Sequence, residues 1–270
     1  MIAFMSSFTH QGQEVFYDVR GEGFPVIFQH GLGADRRQGL SAVAALRGYQ
    51  TIAMDMPGHG ETMAGAGRFG FQRFTSCLLG LLDHLELETA AVGGISMGAG
   101  IALALALRAS ERVKVLMLVR PAWLASGSPE NLALIARMGH WVEQGGVDFA
   151  KEKLAEDHLF RQALANNPGC ASSLAGALER PQATESAAVL HELVDDRPFS
   201  SMGELAGVVQ PTLVIGNQGD PLHPLSMARS LGEALPKANC QEIPSRYLAP
   251  DAHHDALTKA LQSFLDRQSS

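Results

Sequence analysis

Apolar and polar positions along the chain switch repeatedly between two periods. Residues 14–19 alternate, which predicts an early antiparallel strand with one buried face. Apolar runs at 25–29, 51–55, 90–93, 113–119 and 212–216 predict buried strands, and a last strand is placed at 239–243. Between them the period lengthens. Over 71–87, Phe74, Leu78, Leu81, Leu82 and Leu85 share one helical face. Residues 99–107 are rich in Ala and Leu, both strong helix formers. Over 256–264, Leu257, Leu261 and Phe264 form one stripe. Strands alternating with helices predict an α/β protein: a mostly parallel central sheet of about eight strands with helices on both faces.

The alternation stops between 121 and 207. Segments 129–144, 148–165 and 172–193 all carry helical patterns, and no strand pattern separates them. An all-helical insertion at this place is expected to form a cap over the carboxyl ends of the strands, where open α/β sheets bind ligands. The expected division is a core of residues 1–120 and 208–270, with 121–207 as the helical cap, or lid.

Composition narrows the function classes. Acidic residues outnumber basic ones, 28 to 21, for a net charge of −7, so the footprint of a nucleic-acid binder is missing and no nucleic-acid partner is expected. No apolar run approaches the ~20 residues that span a bilayer, so no membrane association is expected. The first residues, Met1 to Ser7, lack a basic stretch followed by an apolar one, so no signal peptide is expected. Cys77, Cys170 and Cys240 are far apart and odd in number, which fits neither a disulfide framework nor a metal site. Three thiols of that kind are expected in a cytoplasmic protein.

The chemistry concentrates at loops that follow strands. Gly94-Ile95-Ser96-Met97-Gly98 reads G-x-S-x-G between a strand and a helix, the setting of a nucleophile elbow. A serine hydroxyl needs a base to take its proton, and the base needs an orienting acid. Asp220 follows the strand at 212–216, and Arg120-Pro121-Ala122-Trp123 after the preceding strand offers no competing carboxylate. His253 and His254 lie at the entrance to the last helix. His253 falls on the Leu257–Leu261 stripe and reads as the base; His254, rotated toward solvent, is the alternative. An oxyanion hole needs two backbone N–H groups. Met97, at the helix start, and Leu32, in His30-Gly31-Leu32-Gly33, are the candidates. His30 reads as a loop-fixing residue, and the segment from Asp55 to Gly60 as a turn in which Asp55 bonds backbone. Trp123, Met138, Trp141 and Phe149 read as core packing, with the inner side of the cap as the alternative.

Taken together, the His30–Gly33 loop, the turn from Asp55 to Gly60, the elbow at Ser96, Asp220 and the late histidine resemble the α/β-hydrolase superfamily, in its lid-bearing serine branch. The resemblance covers nearly the whole chain apart from the cap. It implies that Ser96, Asp220 and His253 act as nucleophile, orienting acid and base. Members commonly carry Gly-His before the closing helix, where Ala252-His253-His254 stands in this chain. A carboxylate at the elbow would point to a dehalogenase or epoxide hydrolase; Ser96 does not.

The function expected is hydrolysis of a small acyl substrate, foremost a carboxylic ester, through an acyl-enzyme on Ser96, with no metal or organic cofactor. Carbon–carbon bond hydrolysis of a β-diketone-like substrate, thioester hydrolysis or acyl transfer, and ligand sensing on the same fold are the alternatives. The sequence leaves oligomeric state open.

Overall fold

A computed structural model describes residues 6–268. Residues 1–5, on which the expectation of no signal peptide mostly rests, lie outside the described range, as do residues 269–270. Eight strands form one sheet in the order β1-β2-β4-β3-β5-β6-β7-β8. They are β1 (Ser6–His10), β2 (Gln13–Arg20), β3 (Phe24–Gln29), β4 (Tyr49–Met54), β5 (Ala90–Ile95), β6 (Val113–Val119), β7 (Thr212–Asn217) and β8 (Ala238–Ile243). β1, β2 and β4 pair antiparallel, and every pair from β4 to β8 is parallel. The alternation over 14–19 thus belongs to an antiparallel edge region, and the apolar runs to the buried parallel strands.

Each central strand feeds two cores. Val26 and Phe28, Val115 and Met117, and Leu213 and Ile215 pack on one face, against Leu257, Leu261 and Phe264 of α9 (Pro250–Gln268) and Val43 of α1 (Arg36–Val43). Ile27, Val92, Leu116, Leu118 and Val214 pack on the other face with α2 (Phe71–His84), α3 (Met97–Arg108) and α8 (Leu225–Ala234). Helix α3 is buried at every position from Met97 to Ala106, as expected of a helix wedged between sheet and helix.

Between β6 and β7 the described chain is helical: α4 (Ala133–Glu156), α5 (His158–Asn166), α6 (Pro168–Gly176) and the short α7 (Ala188–Glu192), with 3₁₀ turns. Gly146, at φ +83°, breaks α4 into two helical stretches. This break falls between the helices expected at 129–144 and 148–165.

The parallel register brings the strands' carboxyl ends into line. Gln29 pairs with Gly94, and Ile95 with Val119, which in turn pairs with Ile215. Beyond the ladder, the Ser96 N–H donates to Val119 O at 3.0 Å, and the Arg120 N–H to Ile215 O at 2.7 Å. The residues that follow β3, β5, β6 and β7 therefore emerge side by side.

Close packing at the elbow needs glycine. A Cβ on Gly98 would sit 2.4 Å from Gln29 O, and one on Gly94 2.6 Å from the Gly98 carbonyl carbon. Both obstacles are backbone, so neither can rotate away. Gly98→Ala is expected to destabilise the fold by about 3 kcal/mol or more, measured as a lowered urea midpoint.

Candidate active site

Ser96 sits between β5 and α3 with φ +57° and ψ −109°, a backbone region that costs a non-glycine residue about 1–3 kcal/mol. Strain of this kind persists only where the surroundings impose it. Its hydroxyl does not cap α3, so it is not spent on the helix start that it precedes. Ser96 is buried in the fold yet lines a cavity of about 300 Å³ between the strand ends and the helical segment.

The His30–Gly33 loop forms one wall. Gly31 and Leu32 line the cavity, and a Cβ on Gly31 would lie 3.6 Å from the Cβ of Ser96. Two interactions hold this loop. Gln38 Oε1 accepts the Gly31 N–H at 2.8 Å. The His30 Nδ1–H donates to Gly31 O at 2.9 Å, while its Nε2 accepts the Met56 N–H at 3.1 Å. The His30 ring is thereby committed to backbone on both sides. Met97 begins α3, where helix N–H groups lack intrahelical acceptors. The Asp55 carboxylate accepts the N–H groups of Arg36 at 2.7 Å and Glu61 at 2.9 Å, which makes it part of the turn.

Asp220 lies past the end of β7 in a tight loop. Its Oδ2 accepts the His223 Nδ1–H at 2.9 Å, its Oδ1 accepts the Leu222 N–H at 3.2 Å, and the His223 N–H reaches Asp220 O at 3.2 Å. The loop thus folds His223 back onto the carboxylate. Two asparagines from the helical segment brace it. Asn167 Nδ2 donates to Gly219 O at 2.7 Å, and Asn131 Nδ2 to Leu222 O at 2.8 Å. His223 is 7% exposed and lines the same cavity as Ser96, and its Nε2 has no hydrogen-bond partner among the described residues.

His253 is placed differently. It lies in the first turn of α9, and its Nδ1–H donates to Pro244 O at 2.8 Å. It does not line the cavity, and it shares no hydrogen bond with Asp220 or Ser96 among the described residues. His254, the alternative, is exposed on the outer side of α9. The structure therefore brings together Ser96, Leu32, Asp220 and a histidine, but that histidine is His223. Its signal was in the sequence: Asp220-Pro221-Leu222-His223-Pro224 sets a histidine three residues after the acid in one proline-bounded turn. Arg246 and Tyr247, after β8, and Trp123 also line the cavity. Of the four aromatic and Met positions considered for the cap, Trp123 alone lies in this wall; Met138 is buried in the core.

Electrostatics tune the pair. Burial pushes the Asp220 carboxyl up, but His223, Arg120 and Arg246 outweigh it and hold it below the ordinary aspartate range. Arg120 Nη1 lies 3.6 Å from Asp220 Oδ2. Burial lowers the His223 pKa; Asp220 raises it without offsetting the burial, and Arg120 and Arg246 lower it further. A neutral imidazole whose Nδ1–H is held by a carboxylate can accept a proton at Nε2.

Burial also lowers the pKa values of His30, His59 and His253. In the unfolded chain these rings protonate near pH 6.5, so below that pH the unfolded state binds more protons. Their contribution to stability is present above pH 6.5 and is lost as the pH falls. The melting temperature is expected to drop between pH 7.5 and pH 5.5, by roughly 2–4 °C for each kcal/mol lost. Melts across that range at fixed ionic strength check this.

A family profile described as alpha/beta hydrolase fold matches residues 25–250. The 2-hydroxymuconate semialdehyde hydrolase of Pseudomonas putida is 29% identical over 81% of this chain and 78% of its own length. Two solved structures superpose over nearly the full chain. The enol-lactonase from Burkholderia xenovorans LB400 gives a TM-score of 0.78 at 25% identity, covering 97% of this chain and all of that one. The esterase from Thermogutta terrifontis gives 0.78 at 23% identity, covering 98% of each chain. The family profile spans most of the sequence, and the two solved structures superpose along nearly all of it; this chain belongs to the alpha/beta hydrolase fold family.

Proposed function

We propose that the protein is a serine hydrolase of small acyl compounds, foremost carboxylic esters, in which Ser96 is the nucleophile and the Asp220–His223 pair its base. One observation carries this reading. His223, held by the Asp220 carboxylate at 2.9 Å, borders the same 300 Å³ cavity as the strained elbow serine.

In the reaction, His223 Nε2 takes the Ser96 hydroxyl proton as Oγ attacks the carbonyl carbon. Asp220 holds the imidazole in the tautomer with Nδ1–H and stabilises the imidazolium that forms. The N–H groups of Leu32 and Met97 receive the developing oxyanion; one such donor contributes about 10²–10³ in rate. The tetrahedral intermediate collapses, the leaving oxygen takes the proton from His223, and an acyl-Ser96 remains. Water, deprotonated by the same ring, then releases the acid. The helices between β6 and β7 act as the cap, and their asparagines hold the Asp220 loop in position.

A second reading is hydrolysis of a carbon–carbon bond in a β-diketone-like substrate by the same groups. It is favoured by the relative named for 2-hydroxymuconate semialdehyde, a compound whose name contains no ester. Mass mapping after treatment with a fluorophosphonate tests the shared step, and parallel assays with 4-nitrophenyl esters and a vinylogous diketone separate the two. Stoichiometric adduct on Ser96 is the expected result; no adduct on folded protein overturns both readings.

A further inference from the structure

The wall of the Ser96 cavity has an uneven charge inventory. Among its lining residues Arg246 is the single side chain that is charged at neutral pH, and no Asp or Glu lines it. No carboxylate lies within 4.0 Å of the Arg246 guanidinium among the described residues; it leans instead on the Tyr247 ring, 4.9 Å from the centroid. The nearby Asp220 feels the Arg246 charge but forms no ion pair with it; its close partners are His223 and, at 3.6 Å, the buried Arg120.

We propose that the substrate carries a free carboxylate, bound by Arg246, in addition to the carbonyl that Ser96 attacks. This rests on the serine-hydrolase reading and names its substrate class. A guanidinium presents parallel N–H donors that match a carboxylate's two oxygens, and its charge strengthens both bonds. A single cation in the wall suits a monoanion better than a phosphate dianion. A cavity of about 300 Å³ suits a short acid such as a half-ester of a dicarboxylic acid.

Two measurements test it. In the first, 4-nitrophenyl hemiglutarate is compared with its neutral counterpart, 4-nitrophenyl valerate. The acid ester is expected to show the higher kcat/KM, and Arg246→Gln to reduce the acid-to-neutral ratio by roughly 10- to 100-fold, the worth of one charged hydrogen-bonded contact. Arg246→Lys is expected to restore part of that ratio. In the second, glutarate binding is followed by calorimetry on Ser96→Ala protein, where no turnover is involved. Glutarate is expected to bind Ser96→Ala and to be lost in Ser96→Ala/Arg246→Gln, with inorganic phosphate binding neither. Equal glutarate binding by both proteins, no binding by either, or a ratio unmoved by Arg246→Gln overturns the carboxylate assignment. Failure of Ser96 to take a fluorophosphonate overturns the hydrolase reading separately, because the binding arm needs no nucleophile.

Discussion

Ser96→Ala is expected to reduce kcat by roughly 10⁴- to 10⁶-fold while leaving the melting temperature within a few degrees of the parent. The loss is large because covalent catalysis divides one difficult substitution at carbon into two easier ones, and no neighbouring group offers a replacement nucleophile. Of the side chains that line the cavity, Ser173 is the other hydroxyl of its type, but it belongs to α6, away from the elbow. The effect on stability should be small because the Ser96 hydroxyl caps nothing. Residual turnover above the uncatalysed rate is expected from the Leu32 and Met97 N–H groups, which still stabilise an oxyanion formed by water attack. Steady-state assays with a 4-nitrophenyl ester, paired with thermal melts, check both halves of the expectation.

The second large effect separates two histidines. His223→Ala is expected to lower kcat by roughly 10³- to 10⁶-fold, because it removes the proton acceptor and leaves the Asp220 carboxylate without its imidazole. His253→Ala is expected to change kcat by less than about tenfold, because the bond it loses goes to Pro244 O at 2.8 Å, a contact that supports the loop before α9. The pH profile carries the same distinction. The base works as the neutral ring, and burial lowers the His223 pKa from the ordinary histidine value of 6.5. The acidic limb of kcat/KM is therefore expected below pH 6.5, and Arg246→Gln, which removes one of the charges that lower the pKa, should move it toward higher pH.

Much of this is legible in the sequence. The switch from two-residue to longer periods located the parallel strands, and Gly94 and Gly98 marked the elbow, where backbone allows no Cβ. Three elements escaped the pattern, the short edge strand β1 and two helices. Helix α1 opens with Arg36 and Arg37 and has too few apolar positions to form a stripe, while α8 is short and lies between two prolines' worth of turn signals and β8. The histidine beside Asp220 was harder. Helical register correctly places His253 on the buried side of α9, since it is 8% exposed, but burial on a helix face is not access to a cavity. That distinction depends on where α9 begins relative to the strand ends, a tertiary quantity with no local signature. The His223 contact, by contrast, is local. An Asp followed three residues later by His, with prolines between and after, closes on itself whatever the rest of the chain does. Arg246 is silent in sequence because it becomes informative through what fails to lie beside it.

The rate of Ser96 phosphonylation by a fluorophosphonate, compared at pH 7.5 among the parent, His223→Ala and His253→Ala, tests the central claim most directly, since it isolates activation of the nucleophile from substrate recognition and product release. The expected rates are near-parental for His253→Ala and lower by roughly a thousandfold or more for His223→Ala. A fast reaction in His223→Ala together with a slow one in His253→Ala would contradict the pairing of Asp220 with His223 as the machinery that activates Ser96.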